Sequence, residues 1–486
     1  MCARARFKEG TYRKRATRQR GRGERRVHRP NRVDAGHFVD AWAPTSNANP
    51  LSSDMAIETP VFPQEEYDRR LAGVRASIQR RGLDGVLISS PENIYYLCGL
   101  DHMGYFAYQA LVVPLDGPIV LITRAMERNT VADQVPHLVH VGYADGAPPP
   151  PRAKEGEVVL TTVAESGRAA GLQPWEASLG VSVRGPGAPV GEVSAPVSGT
   201  VEALTKAGLA SSRLGVEHAS TFLPHKIVDG IHRAVPSATF VDCSGLVDDC
   251  RVVQSPLELE RTRQAAAVSD SMMLAAIAAA GPDQEEHDVM AAIYDTMFRR
   301  GGTYPGFVPL VRSTRTLGHE HGTWVEGRLR HGDILFLEMA GCVRRYHAPM
   351  GRLVFIGDAP PDAARALDIC HDAMKRAADA IKPGALAQDV YAAWQGHLDS
   401  VGLSSYTRHH CGYSVGVGYP PSWSGSGVPL GLRKGSTMRL ETGMVFHLMS
   451  WLLRTGQGDS FLSDTVVVTD DGCEWLTKVP RNIYVR

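Results

Sequence analysis

The sequence predicts an α+β protein in which a small α/β domain precedes a larger domain of helices packed on one side of a largely antiparallel sheet. Strand and helix signals alternate from about residue 63 to Gly245. From Ser255 onward the order changes to helix pair, strands, helix pair, strands. A chain of 486 residues also exceeds what one core supports. With 43% hydrophobic and 21% charged residues, the composition is that of a globular protein. No apolar run approaches a bilayer span, and no charged start is followed by an apolar stretch, so a cytoplasmic protein without membrane contact is expected.

Equal numbers of basic and acidic residues conceal an asymmetry. Residues 1–32 hold 13 Lys or Arg and only Glu9 and Glu24 as acids, about +11, leaving the remainder at about −11. Basic tails can bind nucleic acid or act as organelle addresses. This one lacks interleaved aromatics or an amphipathic period and runs into the low-complexity stretch Ala43 to Asp54. Residues 1–59 therefore read as a disordered basic extension, with Met55 as the functional beginning. The acidic body argues against nucleic acid as a partner.

Residues 60–249 read as the smaller domain. QEEYDRRLAGVRASIQRRG is an amphipathic helix stopped at Gly82, DGVLISS a buried strand, and PENIYYLCGLDH, ALVVP, GPIVLITR and ATFVDCSG continue the alternation. Residues 148–198, rich in Pro, Gly, Ala and Ser, break the pattern and read as a surface insertion.

Residues 250–486 form the larger domain. Ser255 is placed as N-cap, Pro256 as the first helical residue and Glu258 as the capping-box partner of a helix ending at Gly281-Pro282. A helix from Glu285 to Arg300 follows, then strands FVPLV, DILFLEMA and GRLVFIG, helices Asp362 to Ile381 and Gln388 to Val401, and closing strands VVVT and EWLT. The eight cysteines (Cys2, Cys98, Cys243, Cys250, Cys342, Cys370, Cys411, Cys473) form no CxxC pair and suit reduced thiols. Cys411 reads as a packing residue.

This arrangement, with NIYYLCGLD, RHGDILFLEMAG, RKGSTMRLETGMVFHL and FLSDTVVVTDDGCEWLT, resembles the creatinase, prolidase and methionine aminopeptidase superfamily over about residues 62–486, the insertion excepted. The resemblance implies a pita-bread domain, helices on a curved antiparallel sheet, preceded by a creatinase-type N-terminal domain. It also implies five positions for metal ligands in the peptidase members: two aspartates, a histidine and two glutamates. Here they are Glu338, Pro349, Tyr413, Met449 and Ser463. One carboxylate cannot hold two divalent metals, so no metal and no cofactor are expected. A single weakly held ion at Glu338, helped by Asp464 or His347, is the remaining possibility.

Creatinase and ectoine hydrolase are the metal-free branches, and this sequence is similar to the second. LEMAGCVRRYHAPMGRLVFIG, GYSVGVGYPPSW and FHLM carry that likeness, and counting back from Gly332 puts His321 where both branches place a histidine, with His319 as a neighbouring rival. The loop after Tyr419-Pro420-Pro421 and the GLDHMGY loop depart from the ectoine hydrolase pattern, which puts ectoine itself in doubt as the substrate.

Glu338 and His321 are therefore the candidate catalytic residues. A carboxylate ending an apolar strand has its pKa raised or finds a partner, and a salt bridge to Arg344, Arg345 or Arg352 is the structural alternative. As a functional group it would pair with an amidinium and act as nucleophile or base, with His321 moving the proton. Candidate substrate-binding residues are Tyr346, His347, Tyr413, Tyr419, Trp423 and His447, each of which could equally be a satisfied core residue. By analogy with the family a homodimer is expected, in which Asp101, His102 and Tyr105 either contact substrate in the neighbour's pocket or form a local turn motif of the small domain. Three functions stay open: metal-independent hydrolysis of a non-peptide C–N bond in a small amidine, guanidine or cyclic amide; a residual Xaa-Pro peptidase; and a small-ligand binding module.

Overall fold

The computed structural model describes residues 61–143, 193–425 and 429–486. The expected basic extension lies outside them, as does residues 148–192 of the expected insertion. The insertion's last residues, from Ser194, open a helix instead.

The first half is built on a six-stranded mixed sheet in the order β4-β3-β2-β1-β5-β6. Its strands are β1 (Gly85–Ile88), β2 (Ala110–Pro114), β3 (Val120–Arg124), β4 (Val139–Tyr143), β5 (Arg213–Val216) and β6 (Thr239–Asp242). Helices α1 (Gln64–Arg80), α2 (Pro91–Cys98), α3 (Arg128–Gln134), α4 (Ser194–Lys206), α5 (His225–Ala234) and α6 (Leu246–Arg251) accompany it. The wholly apolar strands β1 and β2 are buried at every position, as strands covered on both faces require.

The second half is an α+β layer. Helices α7 (Pro256–Ala279), α8 (Glu286–Arg299), α9 (Ala363–Ala380) and α10 (Ala387–Ser400) pack against a nine-stranded sheet. Its main path runs β11 (Gly431–Leu432), β10 (Gly412–Ser414), β12 (Val445–Leu452), β13 (Ser460–Val468), β9 (Tyr346–Phe355), β8 (Ile334–Val343) and β7 (Leu310–Ser313). Strand β14 (Cys473–Trp475) adds to β13, and β15 (Tyr484–Val485) pairs β9 in parallel. All other pairings of this sheet are antiparallel, as its alternating faces demand.

The capping box at the head of α7 forms as the sequence dictates: Glu258 N–H donates to Ser255 Oγ, and Ser255 N–H donates to the Glu258 carboxylate. Period-two alternation then divides β8. Leu335, Leu337 and Met339 enter the core formed with α7 and α8, whereas Phe336 joins an opposite cluster with Leu310, Leu353, Met449, Trp451 and Phe461. Glu338 shares the phase of Phe336 and so faces that second side.

The two halves are locked by polar side chains. Arg70 of α1 meets Glu258 at 3.5 Å and Tyr346 Oη at 3.3 Å, and the Tyr346 hydroxyl donates to Glu258 at 2.8 Å. The two-residue turn joining β8 to β9 inserts here, with both Arg344 and Arg345 at positive φ. Arg344 O accepts a 2.7 Å hydrogen bond from Tyr95, and the Arg345 guanidinium stacks 3.9 Å from the Tyr304 ring.

Candidate functional site

A cavity of about 950 Å³ opens on the β8 face that carries Glu338. Register places Glu338 opposite Gly351, Gly351 opposite Ser463, and Ser463 opposite Met449, a single row across β8, β9, β13 and β12. Three of the five positions at which the resemblance expects metal ligands thus share one row, with Pro349 two residues along β9. Tyr413 reaches the same floor from β10, paired in register with His447.

Glu338 lines the cavity and is 12% exposed. Burial pushes its pKa up to about 7, against the pull of Arg312 and with help from Glu320. The expected structural partners are engaged elsewhere. Arg352 pairs with Asp464 at 3.0 Å, and Arg345 lies 3.7 Å from Asp101, so neither forms the salt bridge to Glu338 that the sequence allowed. His447 Nδ1 lies 3.9 Å from Glu338 Oε1, and burial drives the imidazole pKa down to about 3, leaving it neutral.

His447 Nδ1 is also hydrogen-bonded to Tyr413 Oη at 3.1 Å, and the Trp423 indole N–H donates to the same hydroxyl at 3.0 Å. Tyr413 and Trp423 line the cavity, and burial holds the Tyr413 phenol above its ordinary range. The Pro420-Pro421 peptide beside Trp423 is cis. His321 lines the cavity at its exposed rim, with its ring 6.3 Å from that of Phe307, whereas His319 does not line it.

Several expected contacts fall outside the cavity. His347 is fully buried, with Nε2 accepting from Gly306 N–H at 2.8 Å and Nδ1 bonded to Gly416 O at 3.2 Å, so both nitrogens are spent on backbone. Tyr346 is held by Arg70 and Glu258 between the two halves. Tyr419 is likewise buried there, donating to Asp101 at 3.0 Å beside Tyr95 and Tyr105. Within this chain Asp101 serves that junction, and His102 bonds Gln109 at 2.7 Å and Glu127 at 3.3 Å. The RYH triplet reads as a site motif in sequence because adjacent polar residues look alike there. Its first residue, Arg345, closes the positive-φ turn, and Tyr346 and His347 after it are both fully buried.

The donor set does not fit a metal. Asp464, the carboxylate next to Ser463, is consumed by Arg352, by Arg481 at 2.8 Å and by the Thr477 hydroxyl at 2.7 Å. His347 has no free nitrogen, and Pro349, Met449 and Ser463 offer no anionic oxygen. The space above Gly351 is taken by the Phe461 ring, which stacks 4.3 Å from Phe336.

Three cavity-lining residues carry a buried polar atom with no hydrogen bond among the described residues, Arg312 and Arg408 at Nε and His410 at Nδ1; His447 Nε2 and Ser463 Oγ are likewise without one, but neither residue lines the cavity. Such atoms are costly in a finished core. Arg312, Arg408 and His410 escaped the sequence reading. For Arg312 a signal existed: in LVRS it alternates in phase with Leu310, which pairs with Glu338.

Residues 260–470 match the Metallopeptidase family M24, and residues 70–167 and 151–253 match the Creatinase/Prolidase N-terminal domain. The chain thus carries a Creatinase/Prolidase N-terminal domain followed by a Metallopeptidase family M24 domain. Among its relatives, the ectoine hydrolase of Halomonas elongata is 26% identical over 441 residues, covering 87% of this chain and 98% of that protein. The Xaa-Pro dipeptidase of Pyrococcus horikoshii is 22% identical over 272 residues, 56% of this chain and 74% of that one. The solved dipeptidase PepE of Mycobacterium ulcerans superposes with a TM-score of 0.66 at 21% identity, covering 87% of this chain and 99% of its own, a likeness of fold. The superfamily's pita-bread architecture is thus present, with a ligand row from which all but one carboxylate is missing.

Proposed function

We propose that this chain is a metal-independent hydrolase that opens a non-peptide C–N bond in a small amidine, guanidine or cyclic amide. The observation that carries the reading is Glu338: a cavity-lining carboxylate at a ligand position, without an arginine salt bridge among the described residues and with its pKa pushed up to about 7 by burial. The ectoine hydrolase relative, aligned over nearly its whole length, supports the same chemistry.

A cationic amidinium entering the cavity would pull the Glu338 pKa down and ionise it on binding. The carboxylate then takes a proton from water as its oxygen bonds to the amidine carbon. That proton passes to the departing nitrogen as the C–N bond breaks, so one water is consumed and an amide and an amine are released. His321, at the rim, is proposed to relay that proton from Glu338 to the leaving nitrogen. Tyr413 and Trp423 would orient the substrate.

The chain is proposed to pair with a second copy. Supporting this, the turn Met103–Phe106 beside Asp101 and His102 carries Met103 at 54% and Phe106 at 74% exposure, large apolar side chains that favour a partner surface.

The test is turnover of a panel of ectoine-like rings, creatine-like guanidines and Xaa-Pro dipeptides, with metal content measured on the same preparation. Turnover of a ring or guanidine that survives EDTA and is lost in Glu338→Gln is expected. Chelator-sensitive Xaa-Pro cleavage restored by manganese or cobalt would replace this reading with a peptidase. A ligand recovered unchanged after long incubation would make the chain a binding module.

A further inference from the structure

Tyr413 ends a hydrogen-bonded chain whose direction decides what it can offer a ligand. Its hydroxyl oxygen lies 3.0 Å from the Trp423 indole nitrogen and 3.1 Å from His447 Nδ1, its partners among the described residues. The indole N–H can only donate, so one lone pair of the Tyr413 oxygen is occupied. His447 is fully buried and neutral, so its ring holds a single proton, on Nδ1 or on Nε2.

With the proton on Nε2, the Tyr413 hydroxyl is spent on Nδ1. The Nε2–H is then a buried donor without an acceptor among the described residues, an arrangement that folded proteins rarely keep. With the proton on Nδ1, Nε2 is a bare lone pair instead. His447 and Trp423 then both donate to Tyr413, filling both lone pairs of its oxygen. The phenol hydrogen is left free to face the cavity that Tyr413 lines. Glu338 favours this second arrangement, because its Oε1 stands 3.9 Å from Nδ1 and an ionised carboxylate attracts a proton on that side.

We propose that Tyr413 is a further catalytic residue, a hydrogen-bond donor to the oxygen that the substrate carbon carries as it becomes tetrahedral. Two donors on the phenol oxygen polarise its O–H and strengthen the bond it gives. Packing keeps that donor aimed: the Tyr413 and His447 rings meet at 90° with centroids 5.4 Å apart, and Trp423 meets His447 at 88° and lies 5.1 Å from Phe307. A donor held in place before reaction stabilises developing charge without reorganising. Tyr413 Oη and Glu338 Oε1 lie around one nitrogen, 3.1 and 3.9 Å from it, so one substrate carbon can meet both. No proton leaves Tyr413. Glu338 takes the proton of water, and the phenol only tightens its hydrogen bond as charge builds on the oxygen. With its lone pairs filled, Tyr413 cannot accept, so the N–H groups of an amidinium belong on the Glu338 side. The inference rests on the proposed function in taking C–N hydrolysis at Glu338 as the reaction.

The direction of the chain is tested without turnover, by a proton–nitrogen correlation spectrum of the full chain carrying isotope-labelled histidine. The His447 signal is the one that disappears in His447→Gln. A directly bonded proton on Nδ1 is expected. A proton on Nε2 would overturn the proposal, because the Tyr413 hydroxyl is then spent on His447. Turnover tests the role, with rings and guanidines as probes, ectoine and creatine among them. Tyr413→Phe keeps the ring and is expected to lower kcat by about 10²–10³-fold while KM moves severalfold at most. A Tyr413→Phe protein with the parent's kcat would overturn the proposal. A parent that turns over none of these probes would sink the proposed function and the catalytic role with it, while the His447 proton still decides whether Tyr413 is a free donor.

Discussion

Nδ1 of His447 stands 3.9 Å from Oε1 of Glu338, and burial pushes both groups toward their uncharged forms, the carboxyl up to about 7 and the imidazole down to about 3. At pH 5 neither is charged. At pH 8 the carboxylate is ionised beside a neutral histidine. A mechanism that needs the carboxylate therefore gains activity with rising pH, and kcat/KM of the free enzyme is expected to show an acidic limb near pH 7. Arg312 pulls the Glu338 pKa down, so Arg312→Met should move that limb to higher pH. A limb that stays at the ordinary carboxylate value in a pH–rate profile would disprove the assignment.

The same shift has a stability consequence. The folded pKa of Glu338 lies above its ordinary 4.5, so its contribution to stability is fully present below about 4.5 and is lost as pH rises through about 7. Glu338→Gln carries no such loss. The variant should melt higher than the parent at pH 8 and lose that advantage toward pH 5, by about 3 kcal/mol at most. Thermal melts of both proteins across pH 5 to 8 check this, and the opposite ordering at pH 8 would show that the ionised carboxylate is well solvated or paired.

Asp464 tests whether the neighbouring carboxylate is structural. It accepts from Arg352, Arg481 and Thr477, all in the interior or against it. Asp464→Asn leaves the buried Arg352 without its counter-charge and is expected to destabilise by about 3 kcal/mol in urea unfolding. EDTA should leave the parent's unfolding midpoint unchanged. A midpoint that falls with chelator would make Asp464 a ligand instead.

Much of this was legible beforehand, for reasons that differ by element. The α7 start was readable because a capping box is local: Ser255, Pro256 and Glu258 specify it without help from the rest of the chain. The helices expected at Glu285 to Arg300 and Asp362 to Ile381 appear as Glu286–Arg299 and Ala363–Ala380. Strand β9 begins at Tyr346, five residues before the expected GRLVFIG, because its first half pairs across a hairpin that only the register with β8 defines. The site divides similarly. Glu338 stood out as a charge inside an apolar strand, while Tyr346 and His347 take the core alternative that the sequence also allowed, with their polar atoms bonded to Arg70 and Glu258 and to the backbone of Gly306 and Gly416. Arg408 needed Trp451, 43 residues later, to become visible as a cavity residue.

Gly351 gives the last prediction. It lies opposite both Glu338 and Ser463, and a Cβ there would run into the Phe461 ring and stand 2.8 Å from Ser463 Oγ. The Phe461 ring is stacked on Phe336 and edge-on to Trp451, so it has little room to retreat. Gly351→Ala is expected to cost about 1–3 kcal/mol of stability by overpacking. The substitution leaves the Glu338 carboxyl and its burial in place, so the acidic limb of the rate profile should stay near pH 7. A Gly351→Ala protein with parental stability in urea unfolding would mean that the Phe461 ring yields freely to the added methyl group.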